Sequence, residues 1–332
     1  MPDSLKLSVI VPIFNEERFI ESCVTSLLKQ DFPHEEMELL LVDGASTDRT
    51  PILLAQLAKA HPDVIRVLQN PRRIQAAAMN LGAKAARGTY LIRVDAHADY
   101  PSNYFSRCVE LMEETGAQNV GCIWDTQGKT PKAQVIAMML TSPFGVGGAA
   151  FRTGGKSGWV DTVPFGTFRK DYYKAIGGFD ERLARSEDNE INYRIRKNGG
   201  RIYMTDEMAV IYYCRETVAA LSRMAYANGK WNVIAARLCP GSMSLKYFVP
   251  LTFVLSLIVM PLLCLLHPLF RWLFAAELLL YLGLSLYFAL RKTRNLKKLL
   301  FLWFLFPAFH IPYGVGSLAG LGSLLTGEWK KP

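Results

Sequence analysis

The chain has 332 residues, 20% of them charged and 50% apolar, which excludes a disordered chain and allows a full core. Its net charge of +9 is uneven: from Gly241 onward there are nine Lys or Arg and two Glu, a surplus of +7, against +2 for everything before. Cations that flank very apolar segments, rather than covering one folded face, argue against a nucleic-acid binder and imply a membrane lipid surface as partner.

In chain order, the start "MPDSLKLSVIVPIFNEE" lacks a basic n-region, an apolar h-region and a small-residue cleavage site. No secretory signal is expected there, and the N-terminal domain is expected in the cytosol. The apolar runs "LSVIVPIF", "ELLLV", "VIRVL" and "TYLIRV" predict strands, while "EERFIESCVTSLLKQ", "PILLAQLAKAH" and "IQAAAMNLGAKAAR" carry helical periodicity. Thr50 before Pro51 reads as a cap and first-turn proline, and Gly88 as the end of the third helix. This alternation predicts an α/β, doubly wound parallel sheet. Ligands bind beyond the carboxyl ends of such strands, which here are Asn15, Glu16, Asp43 and Asp95. No GxGxxG or GxxxxGKS follows any strand, which argues against a dinucleotide or P-loop enzyme.

From Gly145 to Gly178 the chain is rich in glycine and aromatics, and flexible loops over a site are expected. "ARSEDNEINYRIRKNGG" then predicts a helix capped by Ser186, running to Gly199, with Ile191 and Ile195 on its buried face and Glu187 and Asp188 in its first turn. "YFVPLTFVLSLIVMPLLCLL" and "FRWLFAAELLLYLGLSLYFAL" predict spans at about 247–266 and 270–290, since about 20 apolar residues cross a bilayer. The five cations of "RKTRNLKK" place the following loop in the cytosol. Residues 299–325, interrupted by Pro307, His310 and Pro312, read as a third span, a re-entrant hairpin or an interfacial helix. The expected domains are 1–240, cytosolic, and 241–332, in the membrane. Six cysteines without CxxC spacing read as reduced.

Candidate chemistry starts at "LIRVDAHADYP". Asp95 and His97, two apart at a strand end, suit a divalent cation, and the imidazole favours Mn²⁺ over Mg²⁺. A strand-end aspartate capping a turn beside a surface histidine fits the spacing equally. Glu187 and Asp188, from the residues alone, read as acids favoured by the helix N-terminus. Trp159 and Asp161 read as loop packing, and Lys230 and Trp231 as an interfacial pair. Arg72 and Arg73 read as solvated cations ahead of phosphate contacts, and His310 as an interfacial histidine ahead of a lipid-phosphate contact.

"LSVIVPIFNEE", "LLLVDGASTD", "GTYLIRVDAHADYP" and "GGFDERLARSEDNEINYRIRKNGG" together resemble family 2 glycosyltransferases of GT-A fold, over roughly residues 5–250. "DAHA", "SPFGVGGAAFR" and "VDTVPFGTFRK" resemble the branch of that family that builds exopolysaccharides. The resemblance implies a mixed, mainly parallel GT-A sheet followed by transmembrane helices. It implies that Asp43 binds the nucleotide base, with Pro12, Asn15 and Glu16 lining that pocket. Asp95 and His97 fall on the DXD positions, whose metal bridges the sugar-nucleotide diphosphate, and His97 departs from that pattern. Asp188 falls on the catalytic base, with Glu187 as orienting neighbour.

The implied reaction is inverting, metal-dependent transfer of one sugar, glucose from UDP-glucose first, to a polyprenyl-diphosphate-linked saccharide in exopolysaccharide biosynthesis. The implied setting is the inner membrane, multi-pass, with a cytosolic catalytic domain and partners in polysaccharide assembly. The resemblance offers Trp159 and Asp161 as seats for acceptor or donor sugar and Lys230-Trp231 as acceptor or diphosphate contacts; that pair lacks the glutamine and arginine of the QxxRW motif of processive synthases, which argues against polymer extrusion. Two alternatives stand: a polyprenyl-phosphate sugar transferase, and an inactive nucleotide-binding membrane regulator.

Overall fold

The structure, a computed structural model, describes residues 5–330. Met1–Ser4, the head of the segment read for a secretory signal, and Lys331, counted among the C-terminal cations, lie outside the described residues. Packing divides the chain into two compact units: residues up to 125 with 154–212, and 126–153 with residues from 213 onward.

The first unit is built on a nine-stranded mixed sheet in the order β3-β2-β1-β4-β8-β6-β9-β5, with β7 paired to β9. Its parallel half is β1 (Leu7–Ile13), β2 (Met37–Asp43), β3 (Ile65–Gln69) and β4 (Tyr90–Arg93). Every residue of β2 is buried, as expected for a parallel strand covered on both faces. The helices between these strands are α1 (Ile20–Leu28), α2 (Thr50–Ala60) and α3 (Gln75–Ala85). On α1, Ile20, Cys23, Val24 and Leu27 recur at helical spacing and are the buried set.

After β4 come β5 (Ala98–Asp99), α4 (Tyr104–Thr115) and β6 (Asn119–Gln127). The segment expected as loops instead holds two short strands, β7 (Gly158–Trp159) and β8 (Thr167–Arg169), followed by α8 (Lys170–Ala175). β8 is interior, antiparallel to both β4 and β6. Its periodicity is invisible over three residues, but Phe165 and Phe168 are 3% and 1% exposed and anchor it. The unit ends with α9 (Glu187–Lys197) and β9 (Ile202–Tyr213).

The second unit starts with α5 (Pro131–Leu140), α6 (Pro143–Val146) and α7 (Ala150–Thr153) and resumes with α10 (Val218–Leu238), α11 (Val249–Leu266), α12 (Pro268–Lys292) and α13 (Leu296–Thr326). Among the described residues, three helical stretches are long and apolar enough to cross a membrane: Leu245–Leu266, Pro268–Lys292 and Leu296–Thr326, with mean hydropathies of 2.6, 1.9 and 1.5. The third is one continuous helix through Pro307 and Pro312, so no re-entrant hairpin forms. Half of its most apolar window is buried, against 6% for the first stretch, because α13 packs on α10, α11 and α5.

On α10 and α13 glycine lets backbone meet backbone. A Cβ on Gly229 would lie 2.0 Å from the Tyr313 carbonyl oxygen, and one on Gly316 2.0 Å from that of Tyr226. Phe144 of α6 sits among Tyr281, Phe288, Phe306 and His310, with ring centroids 5.0–5.7 Å apart. His310 is therefore buried rather than interfacial: Nε2 donates to the Phe144 carbonyl at 3.0 Å and Nδ1 accepts from the Tyr281 hydroxyl at 2.9 Å.

Candidate active site

The carboxyl ends of β1, β2 and β4 carry the residues that the sequence places there. After β1 the chain turns at Asn15, in the left-handed region at φ 56°. Asn15 donates its backbone N–H to the Ser46 hydroxyl at 2.9 Å, and its side-chain oxygen accepts from the Thr47 N–H at 2.8 Å. Glu16 donates its N–H to the Thr50 hydroxyl at 2.9 Å, so Thr50 opens α2 while its side chain serves the neighbouring loop. Asp43, 1% exposed, accepts from the Ser46 N–H at 3.1 Å. Pro12 lies beside Val42 within the β1–β2 pairing. The loops "FNEE" and "GASTD" thus lock each other, which puts Pro12, Asn15, Glu16 and Asp43 in one place.

At the end of β4, Asp95 Oδ1 accepts from Gln75 at 3.0 Å and from Arg93 Nε at 3.2 Å, while the Asp95 N–H donates to the Tyr100 hydroxyl at 2.8 Å. His97 Nδ1 is 3.1 Å from Glu16 Oε1. The helix carrying "SEDNE" starts as expected, but Ser186 has a left-handed backbone, φ 66°, and the first turn of α9 is defined by what Glu187 and Asp188 reach. Arg93 Nη1 donates to Asp188 Oδ1 at 2.8 Å and lies 3.4 Å from Glu187 Oε1. Asp95, Glu187 and Asp188, far apart in sequence, meet on one guanidinium.

Arg93, Gln75 and Tyr100 were missed in the sequence. Arg93 left a signal: it is the one charged residue in the run "TYLIRV", and its side chain is 5% exposed. A cation buried at the end of an apolar strand requires carboxylate partners.

Burial pushes the Asp188 carboxyl up to about 7, helped by the negative charges of Glu187 and Asp95 and opposed by Arg93. That places it where a base can work near neutral pH. One guanidinium facing three carboxylates leaves surplus negative charge, which a divalent cation would offset. Asp95 and His97 are the residues that would hold it. No group of three or more His, Cys, Asp or Glu forms a complete metal shell among the described residues. Two protein ligands would leave the remaining positions of a Mg²⁺ or Mn²⁺ shell to water or other oxygens.

Trp159 lies in β7 with Arg201 stacked 3.4 Å from its ring centroid and Tyr203 against it edge-on. Asp161 is exposed, 3.6 Å from Arg196. Neither shares a described hydrogen bond with the cluster around Arg93. Lys230 and Trp231 lie on α10 of the second unit, both half-buried. Arg72, expected as a solvated cation, pairs with Glu181.

Residues 8–177 match the sequence profile of Glycosyl transferase family 2. The chain is 35% identical over 248 residues to the succinoglycan biosynthesis protein ExoA of Rhizobium meliloti (strain 1021), covering 73% of this chain and 74% of that protein. It is 28% identical to a dolichyl N-acetyl-alpha-D-glucosaminyl phosphate 3-beta-D-2,3-diacetamido-2,3-dideoxy-beta-D-glucuronosyltransferase of Methanococcus voltae, covering 76% of this chain and 80% of that protein. Among solved structures, the mannosyltransferase PcManGT from Pyrobaculum calidifontis, in complex with GDP-Man and Mn²⁺, aligns with a TM-score of 0.65 at 20% identity. That alignment covers 94% of this chain and 87% of the other.

Proposed function

We propose that this chain, which belongs to glycosyl transferase family 2, transfers a single sugar from a nucleoside diphosphate donor, with inversion, to a polyprenyl-diphosphate-linked saccharide in exopolysaccharide biosynthesis. The observation that carries this reading is the meeting of Asp95 and Asp188 on Arg93. It brings Asp95 together with Asp188, whose carboxyl is raised to about 7, beyond the strand ends, which supports a donor-side carboxylate and a base there.

In this reading Asp43, Asn15, Glu16 and Pro12 hold the nucleotide. Asp188 takes the proton from the acceptor hydroxyl as its oxygen attacks the anomeric carbon, and the sugar–diphosphate bond breaks on the opposite face, inverting that centre. Glu187 keeps the base's charge environment acidic. Asp95 and His97 would hold a divalent cation, Mn²⁺ in preference to Mg²⁺, and its charge would serve to offset that of the departing diphosphate. Trp159, Asp161, Lys230 and Trp231 are assigned to acceptor or diphosphate contacts.

The three apolar helices and the cations at 291–298 support a multi-pass protein of the inner membrane with the catalytic domain in the cytosol. The acceptor is then a lipid-linked saccharide at that surface, delivered among partners in polysaccharide assembly.

The test is UDP release by detergent-solubilised full chain with a panel of UDP-sugars, UDP-glucose first, and a polyprenyl-diphosphate saccharide, under Mn²⁺, Mg²⁺ or EDTA. Turnover with one donor, lost with EDTA and in Asp188→Asn, is the expected result. Activity on a polyprenyl phosphate that survives Asp188→Asn would replace this reading with a polyprenyl-phosphate sugar transferase. Tight UDP binding without turnover on any acceptor would replace it with a regulator.

A further inference from the structure

Arg93 is the last residue of β4, and all four residues of that strand are buried. Its guanidinium lies 5.6 Å from the centre of the Phe165 ring, and its nitrogens divide between two ends of the site. Nε reaches Asp95 Oδ1 on the turn after β4, and Nη1 reaches Asp188 Oδ1 and Glu187 Oε1 on the first turn of α9. Gln75 also uses Asp95 Oδ1. The donors therefore occupy one oxygen of Asp95 and one of Asp188, and Oδ2 of each carboxylate is spared by them.

We infer that Arg93 is the positioning residue of this site: its planar fork sets the carboxylates of Asp95 and Asp188 in one fixed register and leaves one oxygen of each for the reaction. The inference rests on the transferase reading and adds to it how the donor and acceptor ends are kept at a fixed separation. A point cation would not serve. A lysine ammonium has no planar array of donors and cannot hold two separated carboxylates in set orientations. A misplacement of about 1 Å at such a site costs on the order of 100-fold in rate.

The experiment uses the full chain in detergent. Arg93→Lys keeps the charge and is expected to lower kcat by about 100-fold and to weaken UDP binding, read by calorimetry with Mn²⁺ and no acceptor. In an Asp188→Asn background the same substitution is expected to lower kcat by less than about threefold more, because residues acting as one unit are not additive. Arg93→Ala with added guanidinium ion is expected to regain part of the lost rate.

If Arg93→Lys and Arg93→Ala do not fold, Phe165→Leu takes their place. It leaves every charge in position, removes the ring beneath the guanidinium, and is expected to lower kcat in the wild-type background but not in Asp188→Asn. Losses that multiply across the double variant, or an Arg93→Lys enzyme of wild-type kcat and UDP affinity, would overturn the inference. UDP binding needs no turnover. An inert wild type that binds UDP, with weaker binding in Arg93→Lys, would therefore sink the transferase reading and keep the placement of Asp95.

Discussion

Glu16 presents Oε1 to His97 Nδ1 at 3.1 Å, so one carboxylate–imidazole contact joins the loop after β1 to the turn after β4. In the tautomer that donates from Nδ1 to this carboxylate, Nε2 is the acceptor nitrogen of the ring. Such outer partners set the tautomer of a metal-binding histidine and raise its basicity. Glu16→Ala is expected to weaken Mn²⁺ binding by roughly 10- to 100-fold in an electron paramagnetic resonance titration. An unchanged Mn²⁺ affinity would remove His97 from the metal and leave it as a turn residue.

Asp188 is expected to govern the acidic limb of the rate profile. Its carboxyl is pushed up to about 7 by burial and by the neighbouring negative charges, and a base works only when deprotonated. kcat/KM should therefore rise with pH through about 7 and level above it. Asp188→Asn should remove the limb and lower kcat by about 100- to 10,000-fold. A pH-independent rate between 5 and 8 in the wild type would be incompatible with this assignment.

Glu38 carries a prediction about stability alone. It is fully buried in β2, accepts from the Ser8 hydroxyl at 2.7 Å and the Arg87 N–H at 2.6 Å, and pairs with Arg66 and Arg87. These bonds hold its carboxyl below the usual range against the opposing effect of burial. A depressed folded-state pKa contributes stability that is present above the unfolded value and lost as pH falls through the folded one. Glu38→Ala strands a buried hydroxyl and a backbone N–H and should cost about 2–4 kcal/mol. Thermal unfolding at pH 7 would read this as a lower midpoint, and the deficit relative to wild type should shrink on going well below pH 4.

The contact of α10 with α13 gives a paired test. Gly316→Ala would drive a methyl into the Tyr226 carbonyl, whereas a Cβ on Gly283 of α12 meets nothing within 4 Å. Gly316→Ala should lower the melting midpoint in detergent. Gly283→Ala should leave it unchanged or raise it slightly, since alanine gains about 1 kcal/mol over glycine in a helix. Equal behaviour of the two variants would mean that α10 and α13 do not pack as closely as described.

What the sequence made legible was governed by local rules. The four parallel strands and their helices follow from alternating runs, and Asn15, Glu16, Asp43 and Asp95 fall at strand ends because chain order sets strand ends. Asp188 was found as the second residue of a helix. The partner of these groups was not legible, because Arg93 finds Asp188 across 95 positions, a distance that no periodicity spans. β8 escaped for the opposite reason: at three residues it is too short to show a period, and its own Phe168 together with Phe165 just before it, both buried, decides its place. His310 was misread because a histidine in an apolar stretch looks interfacial until Phe144, 166 residues away, supplies its acceptor.

The return of residues 126–153 to the C-terminal helices restricts how the enzyme can be shortened. Cutting the chain after Leu238 to obtain a detergent-free catalytic fragment would strip α13 from beneath α5. It would also open the aromatic cage around Phe144 and uncover the face of α5 that packs on α13. Deleting the excursion as well is no remedy, since it leaves from β6, an interior strand between β8 and β9. A soluble version has to supply a substitute surface for α5, by a grafted helix or by polar replacement on that face.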